Sequence, residues 1–305
     1  MNWTPTSECG HGCLPPISAL PRVTLPVRVW RVLVLVAVVT AGIGVALAVP
    51  VLTAAGRTRL IRAWFSAVVA ACGVRLVVTG DATVAAGRGA VLVAANHVSW
   101  LDVPAILSIQ PIRVLAKAEV RHWPVLGLLA ARGGTVFIDR IRLRRLPATV
   151  AEIAATLVGG ESMLVFPEGS TWCGRSAGRF RPATMQSAID AGVPVRPVAL
   201  RYRLADGMPT TVAAFVGTDT MLASVWRIAA TRGLVIEVHV GPLVETAGRS
   251  RREVAARALA EVRGPEDVTR GPERRRRALT VRRTPARVGS RQSRHLVLGR
   301  GTLRR

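Results

Sequence analysis

The chain has 305 residues, half of them hydrophobic, with 20% charged side chains and a mean hydropathy of +0.34. Those values exclude a wholly disordered protein and lean towards one that works at a membrane. The formal net charge of +24 calls for a partner with negative charge (nucleic acid, anionic lipid or a phosphorylated substrate), while the 4% aromatic content argues against a single-strand nucleic-acid platform built on stacking.

Residues 1–25 are rich in Pro, Gly, Ser and Thr and predict a disordered N-terminus. Within them Cys9-Gly10-His11-Gly12-Cys13 offers three soft ligands. A structural zinc site takes four, and no second pair exists, so no metal is expected. The remaining cysteines, Cys72 and Cys173, indicate no disulfide framework. Residues 32–56 carry no charge, a run of 25 residues that would measure ~37 Å as a helix, enough to cross a bilayer. Arginines flank it on both sides, so charge does not choose an orientation, and Gly42, Gly44 and Pro50 leave room for a bent, re-entrant helix. Residues 59–72 set arginines against Leu60, Trp64, Phe65, Val68 and Val69, a spacing that suits a helix lying in the membrane interface. The alternative is a core helix of a soluble domain. Residues 26–73 thus read as membrane-anchoring helices.

From residue 74 the pattern changes. Short β-branched runs at 74–79, 90–95, 112–116, 135–138, 162–166, 195–201 and 234–240 alternate with helical stretches at 103–108, 124–131, 146–158 and 184–191. Such alternation predicts an α/β fold, a mixed β-sheet covered by helices, over residues 74–263. Residues 249–263 close that domain with an amphipathic helix. Residues 264–305 hold 13 arginines against three acidic side chains and predict a disordered tail suited to an anionic membrane. Lys117 is the only lysine, an arginine bias typical of a GC-rich bacterial genome.

Candidate chemistry sits where strands end. The run at 90–95 leads into Asn96-His97-Val98-Ser99-Trp100-Leu101-Asp102. Ser99 suits a helix N-cap, with Asp102 at the position that reaches back in a capping box. His97 and Asp102 would lie ~140° apart on one helix. They can meet if His97 is in the loop, where Asp102 would fix the imidazole tautomer that a general base needs. Asp139-Arg140 closes the run at 135–138, and an arginine there can fork two hydrogen bonds to phosphate. Phe166-Pro167-Glu168-Gly169-Ser170-Thr171 forms a turn with hydroxyl donors, and Gly192-Val193-Pro194-Val195 a turn into a strand. Gly174-Arg175-Ser176-Ala177-Gly178 matches a hydrolase nucleophile elbow, but no strand precedes it directly and Pro182 follows closely.

These four blocks, in this order, resemble the glycerolipid acyltransferase family, best known for 1-acylglycerol-3-phosphate acyltransferases. Asn96, His97 and Asp102 match its Asn-His-(four residues)-Asp block, and Phe137-Ile138-Asp139-Arg140 its second, where Lys117, Glu119, Pro124 and Gly127 also fall in place. Phe166 to Ser170 match its Phe-Pro-Glu-Gly-Thr/Ser block, and Val193 to Val195 its fourth. The chain departs from the pattern at Gly178-Arg179-Phe180-Arg181-Pro182-Ala183, usually Lys-rich, and at Arg196 in an otherwise apolar block.

The resemblance implies transfer of an acyl group from acyl-CoA or acyl-carrier protein to the hydroxyl of a lysophospholipid. His97 and Asp102 would be catalytic. Asn96, Ser99, Lys117, Arg140, Glu168, Gly169, Ser170 and Thr171 would bind substrate, with Glu168 on a hydroxyl or on Arg140. No metal or organic cofactor is implied, and no nucleic-acid partner. The departures leave the acceptor open between lysophosphatidic acid and another lysolipid, such as lyso-ornithine lipid or a lysoglycolipid. An enzyme with an amphiphilic substrate belongs on a membrane, here the inner face of the cell membrane. From a different class, a basic scaffold binding membranes or nucleic acid is the alternative.

Overall fold

Val91, Val93 and Ala95 belong to one apolar cluster, and Ala90, Leu92 and Ala94 to another. That period of two puts a strand at the middle of a sheet buried on both faces. The computed structural model, which describes residues 5–81, 83–85, 89–123, 125–140 and 142–268, has seven strands in one sheet. They are β1 (Arg75–Gly80), β2 (Leu92–Ala95), β3 (Arg113–Lys117), β4 (Val136–Ile138), β5 (Met163–Val165), β6 (Val195–Arg203) and β7 (Val235–Val240). Their order is β1-β7-β6-β2-β5-β3-β4, parallel except for the antiparallel β6–β7 pair. The sheet is therefore mixed, as the strand-helix alternation predicts, and every strand run read from the sequence is present. What was expected of the tail at 269–305 and of Pro124 lies outside the described residues.

Helices cover both faces. On one side lie α1 (Leu25–Ala48), α2 (Ala54–Ala71), α3 (Asp102–Ile109) and α7 (Met221–Ala230), which bury Val68, Val69, Ile106 and Ile228 in the first cluster. On the other lie α5 (Leu146–Val158), α6 (Met185–Asp190) and α8 (Arg251–Val268), which bury Ile153, Met185 and Val254 in the second. α4 (Leu126–Arg132) packs near the sheet edge against α1. α8 breaks at Gly264 (φ 68°, ψ 171°), where the compact unit carrying the sheet also ends. Arg201 closes that end by donating from Nη2 to the carbonyls of Val262 and Arg263, at 3.3 and 3.2 Å.

Two N-terminal expectations change. The apolar face of α2, expected to meet lipid, packs instead on α1 and α3: Val68 and Val69 are buried, Trp64 Nε1 donates to Val38 O at 2.8 Å, and Arg62 Nε to Ser108 O at 3.3 Å. Of these two helices, α1 keeps an extended exposed apolar surface, including Leu25, Trp30, Leu33 and Val36. Residues 5–24, expected to be disordered, form a strap along the domain. Val23 N donates to Ala230 O (3.0 Å), Arg232 N to Pro21 O (2.8 Å) and Thr211 Oγ1 to Cys13 O (2.7 Å). The composition read as disorder is that of a segment whose own secondary structure is two short 3₁₀ turns, His11–Cys13 and Ile17–Ala19; backbone bonds to distant elements supply the rest of its order.

Arg196, one of the departures in sequence, is buried inside the sheet. Its Nη1 pairs with Asp81 and donates to Gly241 O at 2.8 Å, so it holds strand ends together. It does not line the groove in front of His97.

Candidate active site

β2 leaves the sheet at Asn96, and the side chain of that residue continues the ladder. Its Nδ2 donates to Leu200 O at 3.0 Å and its Oδ1 accepts from Leu200 N at 2.7 Å. Satisfying both backbone groups of β6 fixes the chain's exit direction. The next residue is thereby presented beyond the carboxyl ends of the parallel strands, where α/β sheets place their sites.

His97 Nδ1 lies 2.8 Å from Asp102 Oδ2. That same oxygen accepts the backbone N–H of Val98 (2.7 Å) and of Ser99 (2.9 Å), while Oδ1 accepts the Tyr202 hydroxyl at 2.6 Å. Asp102 thus does two jobs at once. It reaches back to Ser99 N from the first residue of α3, whose N-cap is Leu101 rather than the expected Ser99, and it holds the imidazole with its proton on Nδ1. The acid is completely buried, and four donors meet its two oxygens. His97 keeps 19% of its side chain exposed, so the ring reaches the surface while its partner does not. Phe166 stacks on the ring with centroids 4.0 Å apart and planes 18° off parallel, fixing its tilt. Burial beside Asp102 pushes the Tyr202 hydroxyl well above the usual phenol range, which keeps it a proton donor to the acid.

Glu168 sits behind this pair. Oε2 accepts the backbone N–H of His97 at 2.7 Å and Oε1 that of Gly178 at 2.8 Å. Burial raises its carboxyl from 4.5 to about 7, against the opposing pull of the two amides. His97 O in turn accepts from Trp172 N at 2.7 Å. The loop bearing the imidazole is therefore clamped by its N–H to one motif residue and by its carbonyl to the segment after it.

A groove of about 2470 Å³ runs in front of His97, between α1, α2 and the strand ends. Lys117, Arg140, Gly169, Ser170, Thr171 and Arg181 line it. Lys117 lies over the Trp123 ring at 5.7 Å. Burial lowers the pKa of Arg140 and the nearby Glu119 carboxylate raises it, so the guanidinium remains charged. Only two acids reach the groove wall among the described residues, Asp139 and Glu161, and they pair with Arg142 and Arg113.

The structure thus divides the residues singled out in the sequence. His97, Lys117, Arg140, Gly169, Ser170 and Thr171 face one groove. Asn96, Ser99 and Glu168, read as substrate contacts, lie behind it and hold backbone instead, Ser99 by accepting from Leu101 N at its Oγ. Glu168 accepts amide protons because its position in the turn after β5 puts it beside the exit of β2, the neighbouring strand. Thr171 lines the groove, but its hydroxyl donates to Phe215 O. The Gly174–Gly178 segment is an irregular loop without a following helix, so no nucleophile elbow forms. Tyr202 and Phe166 complete the site; neither was assigned a role from sequence, although Phe166 lies within a recognised block.

A family model described as Acyltransferase matches residues 75–201, which include both His97 and Asp102. The chain is 39% identical over 228 residues to a lyso-ornithine lipid O-acyltransferase of Pseudomonas aeruginosa, covering 73% of this chain and 84% of that protein. It is 43% identical over 150 residues to a 1-acyl-sn-glycerol-3-phosphate acyltransferase of Neisseria gonorrhoeae, covering 48% of this chain and 58% of the relative. The fold matches the crystal structure of the 1-acyl-sn-glycerophosphate acyltransferase PlsC from Thermotoga maritima with a TM-score of 0.61 at 21% identity, over 80% of this chain and 95% of that one. With the blocks in order on one sheet and a relative of this identity matched over most of its length, the chain belongs to the acyltransferase family.

Proposed function

We propose that the protein transfers a fatty acyl group from a thioester, acyl-CoA or acyl-carrier protein, to the hydroxyl of a lysolipid. The observation that carries this reading is the His97–Asp102 pair at the wall of a basic groove. With Nδ1 held by Asp102, Nε2 is the nitrogen left to take the acceptor hydroxyl's proton. The oxygen attacks the thioester carbonyl, the C–S bond breaks, and the proton passes to the leaving thiolate. A general base of this kind contributes about 10²–10⁴-fold. No covalent acyl-enzyme is required.

Lysophosphatidic acid is the acceptor the electrostatics favour. Lys117, Arg140 and Arg181 line the groove, while its two acids are each paired with an arginine. Arginine can grip a phosphate through two parallel hydrogen bonds. Ser170 adds a hydroxyl for the glycerol. A second reading, a lyso-ornithine lipid acceptor, rests on the 84% coverage of the Pseudomonas aeruginosa relative of that name.

The working surface in this reading is a membrane, reached on the cytoplasmic face, where acyl-CoA and acyl-carrier protein are found. Support comes from α1 and the 3₁₀ turn that continues it, together Leu25–Val51, which are long and apolar enough to cross a bilayer. Further support comes from exposed Leu222 and Trp226 on α7 beside it, the latter stacked under Arg28 at 3.6 Å. The purified chain in detergent, given acyl-CoA or acyl-carrier protein and a panel of lysolipids, should form phosphatidic acid fastest. Preferential acylation of lyso-ornithine lipid would establish the second reading, and no acyl transfer to any lysolipid would overturn both.

A further inference from the structure

Cys9 and Cys13 lie on the N-terminal strap, four residues apart. A 3₁₀ turn at His11–Cys13, closed by Cys13 N donating to Gly10 O at 2.9 Å, brings their side chains to one side. The third thiol comes from far away in sequence. Cys173 follows the turn Glu168–Thr171, and its backbone N–H donates to Cys9 Sγ at 3.4 Å. The three sulfur atoms all lie within 4.8 Å of one another. Four ~2.3 Å bonds from sulfur to a tetrahedral ion set the sulfurs about 3.8 Å apart, so small side-chain rotations close the cluster on a metal. Cys9 and Cys173 are buried, whereas Cys13 is partly exposed, which leaves a solvent side for a fourth ligand. The sulfur of Cys173 also accepts backbone N–H groups from Arg175 and Ser176, and such bonds support a thiolate ligand.

We propose that Cys9, Cys13 and Cys173 form a three-thiolate site for a thiophilic divalent ion, zinc above all, with solvent in the fourth position. The ion fastens the strap to the groove wall. The sequence shows only the Cys9/Cys13 pair, and the fold supplies the third ligand. Pro5, Thr6 and Ser7, just before the cluster, line the groove together with His97. Pro5 lies so close to Gly169 that a Cβ there would come within 2.8 Å of it. The strap around the cluster otherwise rests on few bonds, Thr211 Oγ1 to Cys13 O at 2.7 Å and His11 Nε2 with Thr218 Oγ1 at 3.0 Å among them. A metal cross-link between residues 9–13 and 173 removes the freedom that a segment of this composition would otherwise keep.

The test uses the full-length chain in detergent, reduced and stripped of metal. Cd²⁺ alone is followed by its thiolate charge-transfer absorption, and Zn²⁺ alone by competition with a chromophoric chelator. One equivalent should bind per chain. Cys9→Ser, Cys13→Ser and Cys173→Ser should each weaken binding by more than about tenfold, since even outer-shell changes cost that much. Cys72→Ser, which alters a cysteine outside the cluster, should not. Because a buried cysteine change can harm folding, Cys13→His serves as a second variant, and it should retain Zn²⁺ while losing relative affinity for Cd²⁺. Bound Zn²⁺ should also slow cleavage after Glu8 by a glutamate-specific protease. Binding in wild type no tighter than in the Cys9→Ser/Cys173→Ser double variant would overturn the site. Cleavage unaffected by the ion would overturn the clasp.

Discussion

Asp102 shows how one side chain can serve structure and chemistry together. Its Oδ2 accepts two backbone amides as well as facing His97 Nδ1, and Tyr202 occupies Oδ1. Asp102→Asn keeps the shape but places an NH₂ where acceptors are needed, so the imidazole tautomer is no longer fixed. Turnover should fall by about 10²-fold or more, yet less than on loss of His97, with acceptor KM little changed. Tyr202→Phe, which leaves Oδ2 untouched, should cost less than Asp102→Asn. Steady-state kinetics on the three variants tests that order.

Glu168 makes a different prediction. Its folded pKa of about 7 lies above the ordinary 4.5. The native state therefore holds this proton more tightly, and the stability involved is complete below about pH 4.5 and lost as pH rises through about 7. The Tm advantage of wild type over Glu168→Gln should narrow between about pH 5 and pH 8, and a constant gap would contradict the assignment. His97 and Asp102 were legible from spacing and family block. The role of Glu168 was not, because its partner is the backbone of the loop after β2, brought alongside only by the β2–β5 register. Tyr202, 100 residues from Asp102, was hidden for the same reason.

Among the elements, the α1–α2 hairpin depends on one close approach. A Cβ at Gly42 would come 2.5 Å from Trp64 Cζ2 and 2.9 Å from Leu129 Cδ1, whereas Gly44 has nothing within 4 Å. Gly42→Val should force Trp64 aside and destabilise the protein by about 1–3 kcal/mol, as overpacking does. Gly44→Val should leave Tm unchanged apart from helix propensity. Equal effects would mean the hairpin does not pack as described. The strands were readable because their apolar runs are short, β-branched and separated by turns. α7 was not, although Thr220 caps it by accepting from Ala223 N at 3.2 Å. Its buried face is Ser224, Ile228 and Ala229 while the larger Leu222 and Trp226 are exposed, so the large apolar side chains do not mark the face that packs. α2 was read as an interfacial helix because an apolar face looks the same in sequence whether lipid or protein covers it.

At the scale of the molecule, the unit carrying the sheet ends at Gly264, just beyond the carbonyls that Arg201 holds. A chain stopped after Gly264 should therefore keep its turnover on detergent-solubilised substrate. It should lose a salt-sensitive part of its binding to anionic vesicles, since the missing segment carries 13 arginines. Inactivity in detergent would put the boundary elsewhere. The layered α/β plan was legible because alternation of strand and helix constrains it; the path of the strap was not, since its partners lie at residues 209–219, 230–232 and 169–173. What unites these parts is a single imidazole, fixed from behind and open in front to a basic groove beside an apolar helix. The most direct measurement is acyl transfer to lysophosphatidic acid by purified His97→Ala, with circular dichroism and Tm matched to wild type. A fall in turnover of at least about 10²-fold is predicted; near-normal turnover in that folded variant would contradict the mechanism.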